Sequence, residues 1–321
     1  MYQAEKMNLS CDFLSSDHLT GHVHSIFGQV INLEFLMDSA IGKERRMITL
    51  LLSDSVMIPD SVIVPAPFFW CIKTLAECDI ISVDKHCERR MAITNEIYYV
   101  KKEKCLLYFS GINNILNLAD TKNICLGLEQ VRLYAKTSRM LQFLAHVSHF
   151  RCLCNKEDGF NKIPSICIMN LGTFADALLT GSYEEAAISY CSLIGTGIGL
   201  TPSCDDAMVG ILACICGLYA AIDPLNGILT YKELTGSLIP HTQDMTTDIS
   251  IKYLKCALRG SFSEVLYRLV CWVYGESRED LNEILKQFTD IGHTSGLDTL
   301  RGFETAVQRI ILKKGVKGCI V

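Results

Sequence analysis

From Ala207 to Ile222 the chain runs AMVGILACICGLYAAI, sixteen residues without a charge, fenced by Asp206 and Asp223. A stretch this apolar must leave water. It is shorter than the ~20 residues that a bilayer crossing needs, and its glycines, alanines and cysteines suit close packing against protein. It predicts a helix buried on all sides, hence a helical domain large enough to surround it. No membrane association is expected.

The rest of the 321 residues is enough for two domains on a prior of roughly 150 each. In the first third, HVHSIFGQVINLEF and RMITLLLSDSVMI are β-branched and aromatic runs bounded by turn residues. EIYYVKKEKCLLYF reads as a hairpin with Lys101 to Lys104 at its tip. After Asn113 the pattern turns helical. Apolar residues recur at helical spacing over Ile124 to Arg151, among them Leu128, Val131, Leu133, Leu141, Leu144 and Val147. Two short helices closed by Gly181 and Gly195 follow, then helices at Asp248–Arg259, Phe262–Tyr274, Arg278–Phe288 and Asp298–Lys313. The expected fold class is α+β, with a mixed β-rich domain over residues 1–115 and a mainly α-helical domain over 116–321.

Net charge is −5 with no basic stripe, which argues against a nucleic-acid partner. None of the 16 cysteines forms a CxxC pair, and the CxC pairs Cys152/Cys154 and Cys214/Cys216 lack a second pair at zinc-finger spacing. The opening MYQAEKMNLS places charge where a secretory signal would be apolar. The cysteines therefore read as reduced, small, buried residues of a cytoplasmic protein.

Just before the uncharged segment stands GTGIGLTPSCDD, Gly195 to Asp206. Ser203 reads as a helix N-cap, with Asp205 and Asp206 in the first turn, where the helix dipole favours negative charge by ~0.3–1 kcal/mol. Capping accounts for the aspartates. It leaves Gly195, Gly197 and Gly199 unexplained, since alternating glycines imply unusual φ or a close backbone approach. The loop lacks the lysine of a phosphate-binding loop and the sixth-position glycine of a dinucleotide fingerprint. Carboxylates would repel a bare phosphate, but would tolerate one bridged by Mg²⁺, or would accept N–H bonds from an amide or urea group. A ligand site and simple capping both remain open.

GHTSGLDTLRG, Gly292 to Gly302, repeats the spacing: Ser203-x-x-Asp206-x-x-x-Gly210 against Ser295-x-x-Asp298-x-x-x-Gly302. Each is a helix start with a hydroxyl, an aspartate and a glycine one turn on. The small-residue faces below predict that the two helices pack closely and bring Ser203, Asp206, Ser295 and Asp298 together. A third start, TTDIS, offers Thr246 and Thr247 as caps. His293 lies within the second motif as a candidate acid, base or anion contact, and Gly296 follows it. His22 and His24 share a face but make a weak metal signal, and His241 reads as a loop contact. Cys204 sits at a helix N-terminus, which would lower a thiol pKa, yet reads as a spacer.

On these motifs the chain resembles a bacterial family that includes the AllH subunit of oxamate carbamoyltransferase. The family pattern G-x-G-x-G-L-T-P-S-G-D-D is matched at Gly195, Gly197, Gly199 to Ser203, Asp205 and Asp206, with Cys204 where the family has glycine. G-H-[ST]-S-G-x-D is matched at Gly292 to Gly296 and Asp298. The resemblance implies a subunit of a complex that moves a carbamoyl group between oxalurate and phosphate, giving oxamate and carbamoyl phosphate, or that carries out a related carbamoyl or acyl transfer. It also implies an FdrA-type acyl-CoA-synthetase-like partner and one further subunit.

The candidate catalytic groups are thus Asp205, Asp206, His293 and Asp298. Candidate ligand contacts are Gly195, Gly197, Gly199, Thr201, Ser203, Thr247, Ser295 and Gly296. Mg²⁺ is an open cofactor. A non-catalytic metabolite-binding or scaffolding subunit and a stand-alone Mg²⁺-dependent hydrolase are the alternatives.

Overall fold

The structure is a computed structural model that describes residues 6–8, 18–39, 42–73, 80–84, 90–93, 96–99, 129–154, 163, 165–223, 226–275 and 277–313. The chain divides into two compact units, Met1–Ile115 and Leu116–Val321. The architecture is α+β, strands first and helices after.

The first unit holds one sheet of strands β1 (Lys6–Asn8), β2 (His18–Ile26), β3 (Val30–Ser39), β4 (Gly42–Leu52), β5 (Ser61–Val64), β6 (Ile80–Asp84), β7 (Arg90–Ile93) and β8 (Glu96–Tyr99). Their spatial order is β1-β5-β4-β3-β2-β6-β7-β8. Among the described residues, only the β4–β5 pairing is parallel. Along β3, Ile31, Leu33, Phe35 and Met37 are buried while Leu36 and Asp38 are exposed, the two-residue period of a sheet with one covered face. Asn32 stands opposite Thr49, whose hydroxyl donates to Asn32 Oδ1 at 2.9 Å, so this buried pair is satisfied within the sheet. Helix α1 (Ala66–Lys73), unforeseen in the sequence, buries Phe69 and leaves Trp70 exposed. His22 faces Glu34 across the β2–β3 ladder, with Nε2 3.7 Å from the carboxylate. Of the expected hairpin at Glu96 to Phe109, β8 is its first strand and the rest lies outside the described residues.

The second unit contains α2 (Glu129–Cys154), α3 (Ser165–Thr180), α4 (Tyr183–Leu193), α5 (Ser203–Ile222), α6 (Gly227–Gly236), α7 (Asp248–Leu258), α8 (Glu264–Tyr274), α9 (Leu281–Phe288) and α10 (Ser295–Lys313), with a 3-10 turn at Ile239–Thr242. Helix α5 is the core. By length and composition it could cross a membrane, but 78% of its most apolar window is buried inside the protein. Met208, Ile211, Leu212 and Ile215 are wholly buried, each contributing about 1.5–3 kcal/mol of transfer free energy.

The small-residue stripe of α5 serves two neighbours. Towards its start, a Cβ on Gly210 would lie 1.9 Å from Thr299 O of α10. The reciprocal Cβ on Gly302 would lie 1.8 Å from Ala207 O. The helices therefore touch backbone to backbone, as the repeated spacing predicts. Further along, a Cβ on Gly217 would meet Val270 and Tyr274 of α8, and Cys214 Sγ lies 3.1 Å from the Tyr274 hydroxyl. In α2 the buried stripe is Met140, Phe143 and Val147, whereas Leu141 and Leu144 are only half-buried. Phe143 packs edge-on against Phe303 of α10, ring centroids 5.3 Å apart.

Candidate functional site

Helix α4 ends at Leu193, and the loop from Gly195 to Thr201 must turn back to start α5. All three glycines have positive φ: +73° at Gly195, +129° at Gly197 and +115° at Gly199. Gly195 is also confined, since a Cβ there would sit 2.4 Å from Met245 O. Gly197 lies against the helix start, where a Cβ would be 2.4 Å from Ser203 N. The glycines are thus needed to fold the loop down onto the end of α5.

The cap differs from the sequence expectation. Pro202, not Ser203, occupies the N-cap position, and its carbonyl accepts the N–H groups of Asp205 and Asp206 at 2.9 and 3.2 Å. Proline has φ fixed near the value seen, −54°, and has no N–H to lose, so it ends the loop where a hydroxyl cap would have served. Ser203 is the first helical residue, buried, and its side chain makes no cap bond. The Thr196 carbonyl takes the Cys204 N–H at 3.0 Å, so the loop itself satisfies donors at the helix end. The N–H groups of Gly197 and Gly199 donate to no acceptor among the described residues.

The two aspartates do different work. Asp205 Oδ1 accepts the Gly195 N–H at 2.7 Å, and Oδ2 accepts the Thr246 hydroxyl at 2.5 Å. Burial raises its pKa, while Thr246, the Gly195 N–H and Ser250 pull it back. It is a clasp between the glycine loop and the segment before α7. Thr247 completes that clasp: its hydroxyl donates to Leu200 O at 2.5 Å and accepts the Ser250 N–H at 3.2 Å as the N-cap of α7. Asp205→Ala leaves the Gly195 N–H and the Thr246 hydroxyl without an acceptor, at about 1–3 kcal/mol for each orphaned group. Urea melts should show a loss of about 2–6 kcal/mol, with hydrogen exchange accelerated at Gly195.

Asp206 is 7% exposed, and its Oδ2 is buried with no hydrogen-bond partner among the described residues. Its pKa is pushed well above the usual carboxylate range, chiefly by burial and further by the charges of Asp298 and Asp205. The Thr201 and Ser295 hydroxyls nearby oppose that rise. Those hydroxyls lie 2.7 Å from each other, tying the end of the glycine loop to the start of α10. Asp298, 3% exposed, sits one turn into α10, its N–H on the Thr294 carbonyl at 2.9 Å. The close crossing at Gly210 and Gly302 is what brings Asp206 and Asp298 within range of each other's charge.

The starts of α5, α7 and α10 therefore converge on residues 195–206. Ser203 lies in this convergence as packing. Gly296 is packing too, since a Cβ on it would be 1.9 Å from Phe288 O. His293 is exposed in the turn before α10, and its ring bonds none of the described residues. His241 is exposed in the 3-10 turn. Cys204 does not have the lowered pKa expected at a helix N-terminus. Burial, its neighbour Cys167, and the charges of Asp205 and Asp298 push its thiol up. It is wholly buried at the helix start. Among the described cysteines, Cys167, Cys204, Cys214, Cys216 and Cys256 are buried free thiols.

Sequence reasoning missed Tyr253. Burial raises this phenol's pKa, and the charge of Asp206 raises it further. The available signal was its position three residues after Ser250, on one helical face of α7.

Residues 193–307 match the model of a family described as oxamate carbamoyltransferase subunit AllH. The AllH-type segment opens two residues before Gly195 and runs past Gly302, so it contains all three helix starts and the α5–α10 crossing. No solved structure matches the chain.

Proposed function

We propose that the chain is a subunit of an oxamate carbamoyltransferase-like complex, contributing the convergence of α5, α7 and α10 to carbamoyl transfer between oxalurate and phosphate. The observation that carries this reading is the buried Asp206 Oδ2 beside Asp298, Thr201 and Ser295, inside the AllH-type segment. In the reaction a phosphate oxygen bonds to the carbamoyl carbon, the carbon–nitrogen bond to oxamate breaks, and the departing nitrogen takes a proton. The products are carbamoyl phosphate and oxamate. Such acyl transfer needs donors for an oxyanion and a group that holds the amide in place. The free N–H groups of Gly197 and Gly199 supply the first. Asp206 and Asp298 supply the second, and Asp205, Thr246 and Thr247 position the loop. His293, open to solvent, carries the proton.

Membership of a complex is supported by the lip of the site. Ile198 is 88% exposed, Leu200 57% and Met245 49%. Three large apolar side chains beside a polar cluster suit coverage by another protein. Under this reading an FdrA-type acyl-CoA-synthetase-like chain and a further subunit are its partners.

The test is a tagged pull-down from source cells, with retained proteins identified by mass spectrometry, followed by oxalurate phosphorolysis assays on the recovered complex. Retention of an acyl-CoA-synthetase-like chain together with carbamoyl phosphate formation supports the proposal. A chain recovered alone, or a complex that binds its partners and turns over nothing, refutes the catalytic reading. The second of those outcomes would favour a scaffolding subunit.

A further inference from the structure

Outside water, carboxylates need a counter-charge or a proton, because the desolvation of an unpaired buried ion costs several kcal/mol. Asp205 meets this need partly with two donors, the Gly195 N–H and the Thr246 hydroxyl. Asp206 has only the Thr201 and Ser295 hydroxyls near its carboxyl, and no Lys or Arg side chain pairs with it among the described residues. Its buried Oδ2 accepts from no protein group. Asp298 lies close enough for its charge to act on Asp206, and the Thr201 and Ser295 hydroxyls stand at the same place. A substrate built of phosphate or carboxylate groups brought to these aspartates would be repelled unless something positive stood between them.

We infer that Asp206 Oδ2 and the Asp298 carboxylate hold one hard divalent cation of the Mg²⁺ class, with the Thr201 and Ser295 hydroxyls at its side. The donor set suits such an ion. All donors are oxygens, no thiolate or imidazole joins them, and two carboxylates with open positions match the way Mg²⁺ is held when it also grips an anionic substrate. Cys204, the nearest sulfur by sequence, is wholly buried. The ion neutralises the carboxylate pair and leaves coordination positions for phosphate oxygens. Its binding stands on the geometry; its use in catalysis rests on the carbamoyl-transfer reading.

Mn²⁺ is the probe, added to the purified full chain and followed by its electron paramagnetic resonance signal, with and without inorganic phosphate. The expected result is one saturable Mn²⁺ per chain, displaced by Mg²⁺ and tightened by phosphate. Asp206→Asn and Asp298→Asn should each weaken binding at least 10-fold, while Glu283→Gln, at an exposed position of α9, leaves it unchanged. Thermal melts run alongside: Mg²⁺ should raise the Tm of the wild-type chain by several degrees and that of Asp206→Asn by none. Absence of saturable Mn²⁺ with phosphate present, or equal binding by the wild type and a folded Asp206→Asn chain, overturns the inference. Saturable binding by a chain whose complex forms no carbamoyl phosphate would sink the catalytic reading and leave the cation site standing.

Discussion

Gly302→Ala should cost the helical unit about 4 kcal/mol or more, enough to leave much of it unfolded at 37 °C. A methyl group at Gly302 would lie 1.8 Å from the carbonyl oxygen of Ala207 and 2.5 Å from its carbon. Neither atom belongs to a flexible side chain, so the helices would have to separate. Separation opens gaps along a core in which Ile211, Phe303, Ala306 and Val307 are wholly buried, and close-packed interiors lose contact energy steeply when spread. Gly210→Ala faces the same obstacle from the other helix, 1.9 Å from Thr299 O. Gly236→Ala is the control, because a Cβ there meets nothing within 4 Å. That change should be neutral or should stabilise by about 0.5–1 kcal/mol. Circular dichroism melts of the three variants decide the matter. If Gly302→Ala melts with the wild type, the helices do not cross as closely as described.

Asp206→Asn should move stability and activity in opposite directions. Burial and two neighbouring carboxylates raise the Asp206 pKa, so the folded chain binds its proton more tightly than the unfolded chain. The stabilisation that this proton gives is complete below the ordinary carboxyl value near 4. It is lost as pH rises from there through the raised folded value, and stays lost above it. Asparagine has the same shape and no charge to desolvate. In EDTA the variant and the wild type should therefore melt alike at low pH and diverge as pH rises. At pH 7 the variant should be the more stable by about 1–2 kcal/mol, the size common where a functional site is strained. Carbamoyl transfer by the complex should fall about 100-fold or further, as when a charge-stabilising group is lost. A variant that retains full activity would leave Asp206 as a structural residue of the first turn of α5. A pH-independent difference in Tm would mean that the carboxyl is not protonated by burial.

Much of this was legible in the residues, and the gaps have physical causes. The uncharged run after Asp206 announced α5 because no other placement suits sixteen apolar residues of that make-up. The repeated Ser-x-x-Asp-x-x-x-Gly announced the α5–α10 contact, since small residues at one-turn spacing make sense only where a backbone approaches. The cap at Pro202 was hidden because Thr201, Pro202 and Ser203 are all good helix starters, and the choice among them depends on where the glycine loop lands. The roles of Asp205 and Asp206 were hidden too. Adjacent side chains on a helix point about 100° apart, and only the fold shows which one turns to Gly195. Thr246 looked like a second cap beside Thr247, but its hydroxyl crosses to Asp205 instead. Helix α6 went unseen because GILTYKELTG carries glycine at each end and little apolar periodicity, and is held by Tyr231 and Thr235 bonding to carbonyls of α7.

Glycine-rich loops are usually credited with mobility, and the one between Leu193 and Ser203 has a different consequence. Its backbone is held at Gly195 by a carboxylate, at Thr196 by the Cys204 N–H and at Leu200 by Thr247, and the Thr201 side chain is tied to Ser295. The freedom that glycine has in the unfolded chain is given up when the helices assemble, before any small molecule arrives. Preorganisation of this kind means that a ligand meets its donors already in place and orders little on binding. Affinity for even a very small molecule, a single phosphate or carbamoyl group, then need not be eroded by the cost of closing a loop around it.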